Sequence, residues 1–232
     1  METSYSRRKL EAETLVERVG RYTVSVSEDG SRFDVVSAPK GESSLGRYKV
    51  CVPEGESNDW KVEKFHQTFF WSEHEHYGRS VPPGDYTRLI FRDEVIMSDS
   101  PVEIRDHLEF IKKAHGRCLI NGLGLGMVLQ AVRNKRTVTH IDVVEKSPDV
   151  IRLVWPTYAS LPDVTLHEAD AYTMRWPRGT KWDCAWHDIW GHSDAEGRAK
   201  LKHKYAGRVQ WQGAWASRRS PGPSRRKPRK EA

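Results

Sequence analysis

A glycine-rich turn is the part of the sequence whose residue types and spacing point most directly to ligand binding. Gly122, Gly124 and Gly126 alternate with leucines between an apolar run and a helical pattern. Glycine permits a tight turn and a close approach of ligand to backbone, and a following helix N-terminus offers unpaired N–H groups. A dinucleotide-binding turn needs glycine at position 127, where this chain has Met127. The GxGxG spacing therefore predicts a ligand site of another kind.

Acidic residues follow the next apolar runs, where they can face the same ligand. Glu145 ends the next predicted strand, about 20 residues past the glycines, and a carboxylate there can accept hydrogen bonds from both hydroxyls of a ribose. Asp170, followed by Ala171, comes after a further predicted strand. Asp188 comes at the end of the next apolar run along the chain. Each is also a common strand-end or turn residue. The glycine turn upstream favours the binding interpretation.

In their order and spacing these motifs resemble class I S-adenosylmethionine-dependent methyltransferases and the spermidine-synthase-like aminopropyltransferases that share their fold. The resemblance covers about residues 98–211, and the whole pattern is also similar to small methyltransferase-like proteins encoded by actinobacterial phages. It implies S-adenosylmethionine as the cofactor. It also implies a set of cofactor-binding residues with Glu145 at the ribose and Asp170 at the adenine: Asn121, Gly122, Leu123, Gly124, Gly126, Glu145, Lys146, Asp170 and Ala171. Asp188 falls on the catalytic carboxylate of the spermidine synthases.

The chain departs from these families at positions that bear on its substrate. Asn121 stands where they carry Asp or Glu, so it supplies no charge to a cationic cofactor. Asp188 is followed by Ile-Trp-Gly-His instead of the Pro/Gly gate loop of spermidine synthases, and no Asp-Pro-Pro-Tyr motif of adenine methyltransferases occurs. Three hypotheses stay open: methyl transfer to an unknown substrate, aminopropyl transfer, and a methyltransferase-fold binding module without catalysis.

Alternating strands and helices position these residues. After residue 98 the pattern predicts helices beginning near Pro101, Met127, Pro148 and Ser193, and strands over 117–121, 138–144, 164–167, 183–187 and 209–212. Such alternation predicts a Rossmann-like α/β fold with a mainly parallel sheet, shortened at the C-terminus because only about five strands fit. Ser100–Glu103 and Ser193–Glu196 match the capping-box pattern at two helix starts.

The chain before residue 98 predicts a small antiparallel β-subdomain. A hairpin over 22–26 and 33–36 is followed by candidate strands over 48–52, 67–71, 86–91 and 95–97, whereas Leu10, Leu15 and Val16 form a weak helical pattern. The predicted organisation is a polar segment 1–20, the β-rich subdomain 21–97, the Rossmann-like domain 98–217 and a disordered basic tail 218–232.

The composition of the chain bears on its cellular location and on its binding partners. The formal net charge is +6, and much of the excess lies in the tail, which is interpreted either as a solubilising end or as a weak nucleic-acid-binding arm. Three separated cysteines without a CxxC pair, no apolar run of membrane-spanning length and no apolar leader predict a cytoplasmic protein without a disulfide framework. The oligomeric state is not predicted.

The histidines have two candidate roles. His66, His74 and His76 cluster in sequence, but the spacing provides no complete ligand set, so no metal is predicted. His187 and His192 flank Asp188 and are predicted to act as proton acceptors near the ligand.

Overall fold

The computed structural model describes residues 7–10, 14–19, 22–26, 33–37, 48–67, 81, 83–191 and 194–215. The predicted tail 218–232 lies outside these residues. Within them no helix is both long enough and apolar enough to cross a membrane.

Two antiparallel sheets form the described N-terminal part. The first contains β1 (Arg7–Leu10), β2 (Thr14–Val19), β3 (Tyr22–Val26) and β4 (Phe33–Ser37), paired in chain order. The second contains β5 (Gly55–Ser57), β6 (Trp60–Gln67), β7 (Gly84–Phe91) and β8 (Glu94–Ser98), also in chain order. The predicted antiparallel subdomain and its β3–β4 hairpin are confirmed.

Two local predictions in this part are wrong. The weak helical pattern near Leu10 lies in β1 and β2, because pairing of β2 with strands on both sides outweighs a weak periodicity. The predicted strand over 48–52 is irregular: Val50 and Val52 are buried, and the Val50 N–H donates to the Asp99 side chain instead of a strand ladder. Of the predicted strand 67–71, only Gln67 is described, as the last residue of β6.

A five-stranded parallel sheet with helices forms the rest of the described chain. Its strands are β9 (Gly116–Asn121), β10 (Val138–Glu145), β11 (Val164–Glu168), β12 (Trp182–His187) and β13 (Val209–Ala214), in the order β11-β10-β9-β12-β13. Every neighbouring pair is parallel. The helices that flank it are α1 (Pro101–Lys113), α2 (Met127–Val132), α3 (Pro148–Val154) and α4 (Ala195–Tyr205). The predicted Rossmann-like α/β class is confirmed.

Aromatic side chains pack on both faces of the parallel sheet. On one face Phe110 of α1 stacks on Trp186, with ring centroids 5.8 Å apart. On the other face Trp182 packs edge-on against Tyr205 of α4, with centroids 6.0 Å apart. Burying such rings contributes roughly 2 kcal/mol per side chain. Strand ends held between two packed layers give rigid positions for the residues that follow them.

The helix starts differ from the predicted capping boxes. Ser100 precedes α1 but its side chain caps no N–H; Glu103 instead accepts from the N–H and hydroxyl of Ser98. At α4 the capping residue is Asp194, whose carboxylate accepts from Gly197 N at 2.8 Å. The negative charge of this capping carboxylate also suits the positive end of the helix.

Candidate functional site

A cavity of about 970 Å³ opens at the carboxyl ends of the parallel strands. Its walls come from the turns after β9, β10, β11 and β12, from helix α1 and from strand β8 of the second antiparallel sheet. Ligands of open α/β sheets bind at this edge, and the volume suits a nucleoside-sized ligand with room for a second molecule. Eight of the ten sequence-predicted site residues line it: Gly122, Leu123, Gly124, Glu145, Lys146, Asp170, Ala171 and Asp188.

The glycine turn after β9 is shaped by what lies against each glycine. Gly122 has φ +97°, and a Cβ there would lie 1.9 Å from the Asp188 carbonyl oxygen. Gly124 has φ +50°, and a Cβ there would meet the Met97 sulfur at 2.4 Å. Met97 Sδ also accepts a hydrogen bond from Leu125 N at 3.2 Å. The close approach to Gly124 is thus made by a side chain of β8.

Glu145 ties the end of β10 to the glycine turn. One carboxylate oxygen accepts from Leu123 N at 2.9 Å, and the other accepts from Lys146 N and Ser147 N at 2.8 Å each. A carboxylate offers about four lone-pair sites, so acceptor capacity remains for about one hydroxyl group in the cavity. The carboxylate is therefore held in a fixed orientation before any ligand arrives.

The loop after β11 is fastened by the last turn of α4. Lys204 Nζ donates to the carbonyls of Ala171, Tyr172 and Met174, at 2.8, 2.9 and 2.7 Å. Burial lowers the pKa of Lys204, so these charge-assisted hydrogen bonds offset a desolvation cost. Asp170 closes the same loop by accepting from Tyr172 N at 2.6 Å. The wall that carries Asp170 and Ala171 is thereby given one conformation.

Asn121 and Gly126, both predicted to bind the cofactor, are not among the residues that line this cavity. Asn121 is fully buried, and its Nδ2 donates to His187 Nδ1 at 2.8 Å. Gly126, with φ +73°, lies against the Tyr158 ring at the start of α2, where a Cβ would approach the ring to 2.3 Å. Both residues thus pack against buried side chains next to the turn.

His187, predicted near the ligand, lies among buried side chains and is not part of the cavity lining. Its Nε2 lies 3.0 Å from Gln212 Oε1, so Nε2 donates to Gln212 while Nδ1 accepts from Asn121. Burial lowers the pKa of His187 to about 4, so the ring is neutral at neutral pH. This polar chain across β9, β12 and β13 gives a physical reason for Asn at position 121: an Asp there would place a charge beside a buried neutral ring. His192 is not among the described residues.

Asp188 lines the cavity between the glycine turn and helix α1. Its backbone N–H donates to the Asn121 carbonyl at 2.8 Å, which fixes the residue next to the glycine turn. Burial, reinforced by the nearby carboxylates of Glu103 and Asp106, raises the pKa of Asp188 to about 8. His107 Nε2 lies 3.8 Å from Asp188 Oδ2, and burial lowers the His107 pKa to about 4. At neutral pH the site thus holds a largely protonated carboxyl group beside a neutral imidazole.

The described cavity wall is strongly acidic although the whole chain is basic. Its ionisable side chains include one lysine, Lys146, and one histidine, His107, against eight carboxylic acids: Asp93, Glu94, Glu103, Asp106, Glu145, Asp170, Asp188 and Asp194. Such a wall attracts cations and repels phosphates and carboxylates. No set of three or more His, Cys, Asp or Glu in the described part of the chain is placed to hold a metal ion.

Sequence reasoning missed the contributions of α1 and β8. His107 falls three residues after Ile104 and three before Phe110, both buried, so the helical stripe itself indicates that it points inward. Met97 carries no comparable signal, because its position on the glycine turn depends on how the second antiparallel sheet meets the parallel one.

Comparison with known proteins gives likeness at the level of structure only. No protein-family model matches the chain, and no curated protein sequence matches it. Solved structures that match include N-methyltransferase NodS from Bradyrhizobium japonicum, with 11% identity, a TM-score of 0.39, and coverage of 47% of this chain and 63% of NodS. Coclaurine N-methyltransferase matches with 16% identity, a TM-score of 0.38, and coverage of 48% of this chain and 33% of that enzyme.

A third match is the putative methyltransferase yhhF from Escherichia coli, with 16% identity, a TM-score of 0.36, and coverage of 48% of this chain and 60% of that protein. The chain thus spans less than two thirds of each of these proteins. All three are methyltransferases by name, the class that the sequence resembles.

Proposed function

We propose that the protein is an S-adenosylmethionine-dependent methyltransferase. The observation that carries the proposal is the hydrogen bond from Leu123 N to Glu145, which joins the glycine turn and the strand-end carboxylate into one wall of the cavity. The cofactor is a nucleoside that bears a positively charged sulfonium. Its ribose needs a hydroxyl acceptor, which Glu145 provides, and its charge suits the acidic wall.

The other cavity residues fit the remaining parts of that cofactor. Asp170 and Ala171, on the loop fastened by Lys204, are assigned to the adenine. Gly122 and Leu123 are assigned to the amino-acid end, where the turn brings the backbone to the cavity surface. When bound, the cofactor supplies an already activated methyl group, so the protein has mainly to hold an acceptor in line and to exclude water.

Aminopropyl transfer is the second candidate, because Asp188 lies in the cavity as it would in an enzyme that deprotonates an amine. The two candidates differ in the cofactor they require. Decarboxylated S-adenosylmethionine lacks the carboxylate of the methyl donor, so preference between the two cofactors separates them. The third candidate is a binding module without catalysis, which would bind the cofactor and transfer no group to any acceptor.

Calorimetric titration tests the cofactor assignment. S-adenosylmethionine, S-adenosylhomocysteine, decarboxylated S-adenosylmethionine and NAD are titrated into wild type and Glu145→Ala. The matched control is Glu168→Ala, because Glu168 is the register partner of Glu145 on β11 but is exposed and outside the cavity. We expect binding of the first two ligands, weakened at least 10-fold in Glu145→Ala and unchanged in the control. No binding by folded wild type would refute the proposal.

A further inference from the structure

The acidic end of the cavity has features of a second binding site beside the cofactor wall. Glu103 and Asp106 of α1 and Asp188 after β12 converge there, and the two α1 carboxylates raise the pKa of Asp188. Like charges packed this way are unfavourable unless a cation or protons neutralise them. The arrangement therefore makes this end of the cavity selective for a positively charged group.

Two buried polar atoms in the same wall have no partner within the described residues. The His107 side chain is 2% exposed and its Nδ1 is unpaired; Ser100 is 1% exposed and its Oγ is unpaired. Both residues line the cavity, and the other ring nitrogen of His107 faces Asp188. Buried polar groups are nearly always hydrogen-bonded, so unpaired ones in a cavity wall indicate a missing polar partner.

Apolar side chains border this end. Trp215 donates its backbone N–H to the His187 carbonyl at 3.0 Å, which places it next to Asp188, and Val102 of α1 also lines the cavity. A molecule that fits here carries one cationic group on an apolar body. A phosphate-bearing acceptor such as a nucleic acid would bring negative charge against the carboxylates.

We propose that the methyl acceptor is a small primary or secondary amine with an apolar body, bound as its ammonium ion by Glu103 and Asp106 with Asp188 as the proton acceptor. This inference rests on the proposed function, because it assigns the substrate of the same cavity. The ionised Asp188 carboxylate takes one proton from the ammonium nitrogen and becomes neutral. The freed nitrogen lone pair forms the N–C bond while the sulfonium C–S bond breaks, its electron pair stays on sulfur, and the methylated amine leaves as a cation.

The binding test uses three amines, n-butylamine, phenethylamine and tryptamine, each with the alcohol and the carboxylate of the same body. Each probe is titrated into the full chain with and without saturating S-adenosylhomocysteine. We expect each amine to bind at least 10-fold more tightly than the alcohol and the carboxylate with the same apolar body. This ratio of affinities should fall at least 10-fold in Glu103→Gln and in Asp106→Asn, while the affinity for S-adenosylhomocysteine stays unchanged. Glu94→Gln is the matched control, because it removes one carboxylate from the exposed rim of the same cavity.

Proton release gives an independent readout for Asp188. A bound ammonium favours the ionised carboxylate, so amine binding at pH 7 should release protons, seen as a dependence of the binding enthalpy on the ionisation enthalpy of the buffer. This dependence should vanish in Asp188→Asn.

The outcomes separate the inference from the proposed function. If S-adenosylhomocysteine binds but no amine exceeds its alcohol and carboxylate, the amine inference is overturned and the cofactor assignment stands. If amines bind as expected while S-adenosylhomocysteine does not, the cationic site stands and the methyltransferase proposal falls. If neither binds to folded protein, both are overturned.

Discussion

Replacing Asp188 with Asn should change how protein stability depends on pH. The folded-state pKa of Asp188 is raised to about 8 by burial and by Glu103 and Asp106, whereas an unfolded Asp titrates near 4. Between these values the folded protein retains a proton that the unfolded chain has lost. The free energy of unfolding of the wild type therefore falls as pH rises through this window. Only below the pKa of the unfolded chain does the raised pKa of Asp188 cost no stability.

The size of the effect follows from the same window. Each pH unit contributes up to about 1.4 kcal/mol, so the interval from pH 5 to pH 7 contributes up to about 3 kcal/mol. The Asp188 side chain is 21% exposed, and screening by water reduces the expected change to about 2 kcal/mol. Asn cannot ionise, so the free energy of unfolding of Asp188→Asn minus that of wild type should grow by this amount. Urea unfolding of both proteins at pH 5, 6 and 7 measures it. A difference that stays constant with pH would refute the assigned ionisation.

Three other substitutions test separate parts of the site. Lys204→Met should lower the free energy of unfolding by about 2 kcal/mol and the melting temperature by about 4–8 °C, because three carbonyls lose a charged donor. The control Lys200→Met, on the same helix, should lower each of these two quantities by less than a quarter of the change in Lys204→Met. Gly122→Ala should lower the free energy of unfolding, measured with urea, by at least about 3 kcal/mol. Gly179 has φ +87° and open space around it, so Gly179→Ala should lower the same quantity only by the backbone strain of about 1 kcal/mol. Asn121→Asp, the residue typical of the resembling families, should lower the melting temperature without tightening S-adenosylhomocysteine binding; tighter binding would show that the side chain reaches the ligand.

Much of the parallel sheet could be predicted because its signals are local. Turn residues and helix-start residues such as Gly122 and Ser147-Pro148 bound the runs of apolar residues and so indicate where each strand ends. Parallel pairing of the strands then brings Glu145, Asp170 and Asp188 to one edge of the sheet. Eight of the predicted site residues reach the cavity for this reason.

The remaining features depend on contacts between distant parts of the chain. Asn121 ends the same strand that precedes the glycine turn, yet its side chain points to His187, a choice set by the β9–β12 register and by the neutral ring beside it. Likewise, the irregular segment around Val50 depends on the Asp99 carboxylate, 49 positions further along the chain. Neither partner can be found from residue types and spacing within one element.

A crystal structure of the protein with S-adenosylhomocysteine tests the central claim most directly. The account predicts ligand density in the cavity, with a ribose hydroxyl on the Glu145 carboxylate, the adenine beside Asp170 and the sulfur on the side of Gly122 and Asp188. The acidic end lined by Glu103 should remain open for an acceptor. Density at another place, or an empty cavity in crystals grown with saturating ligand, would contradict it.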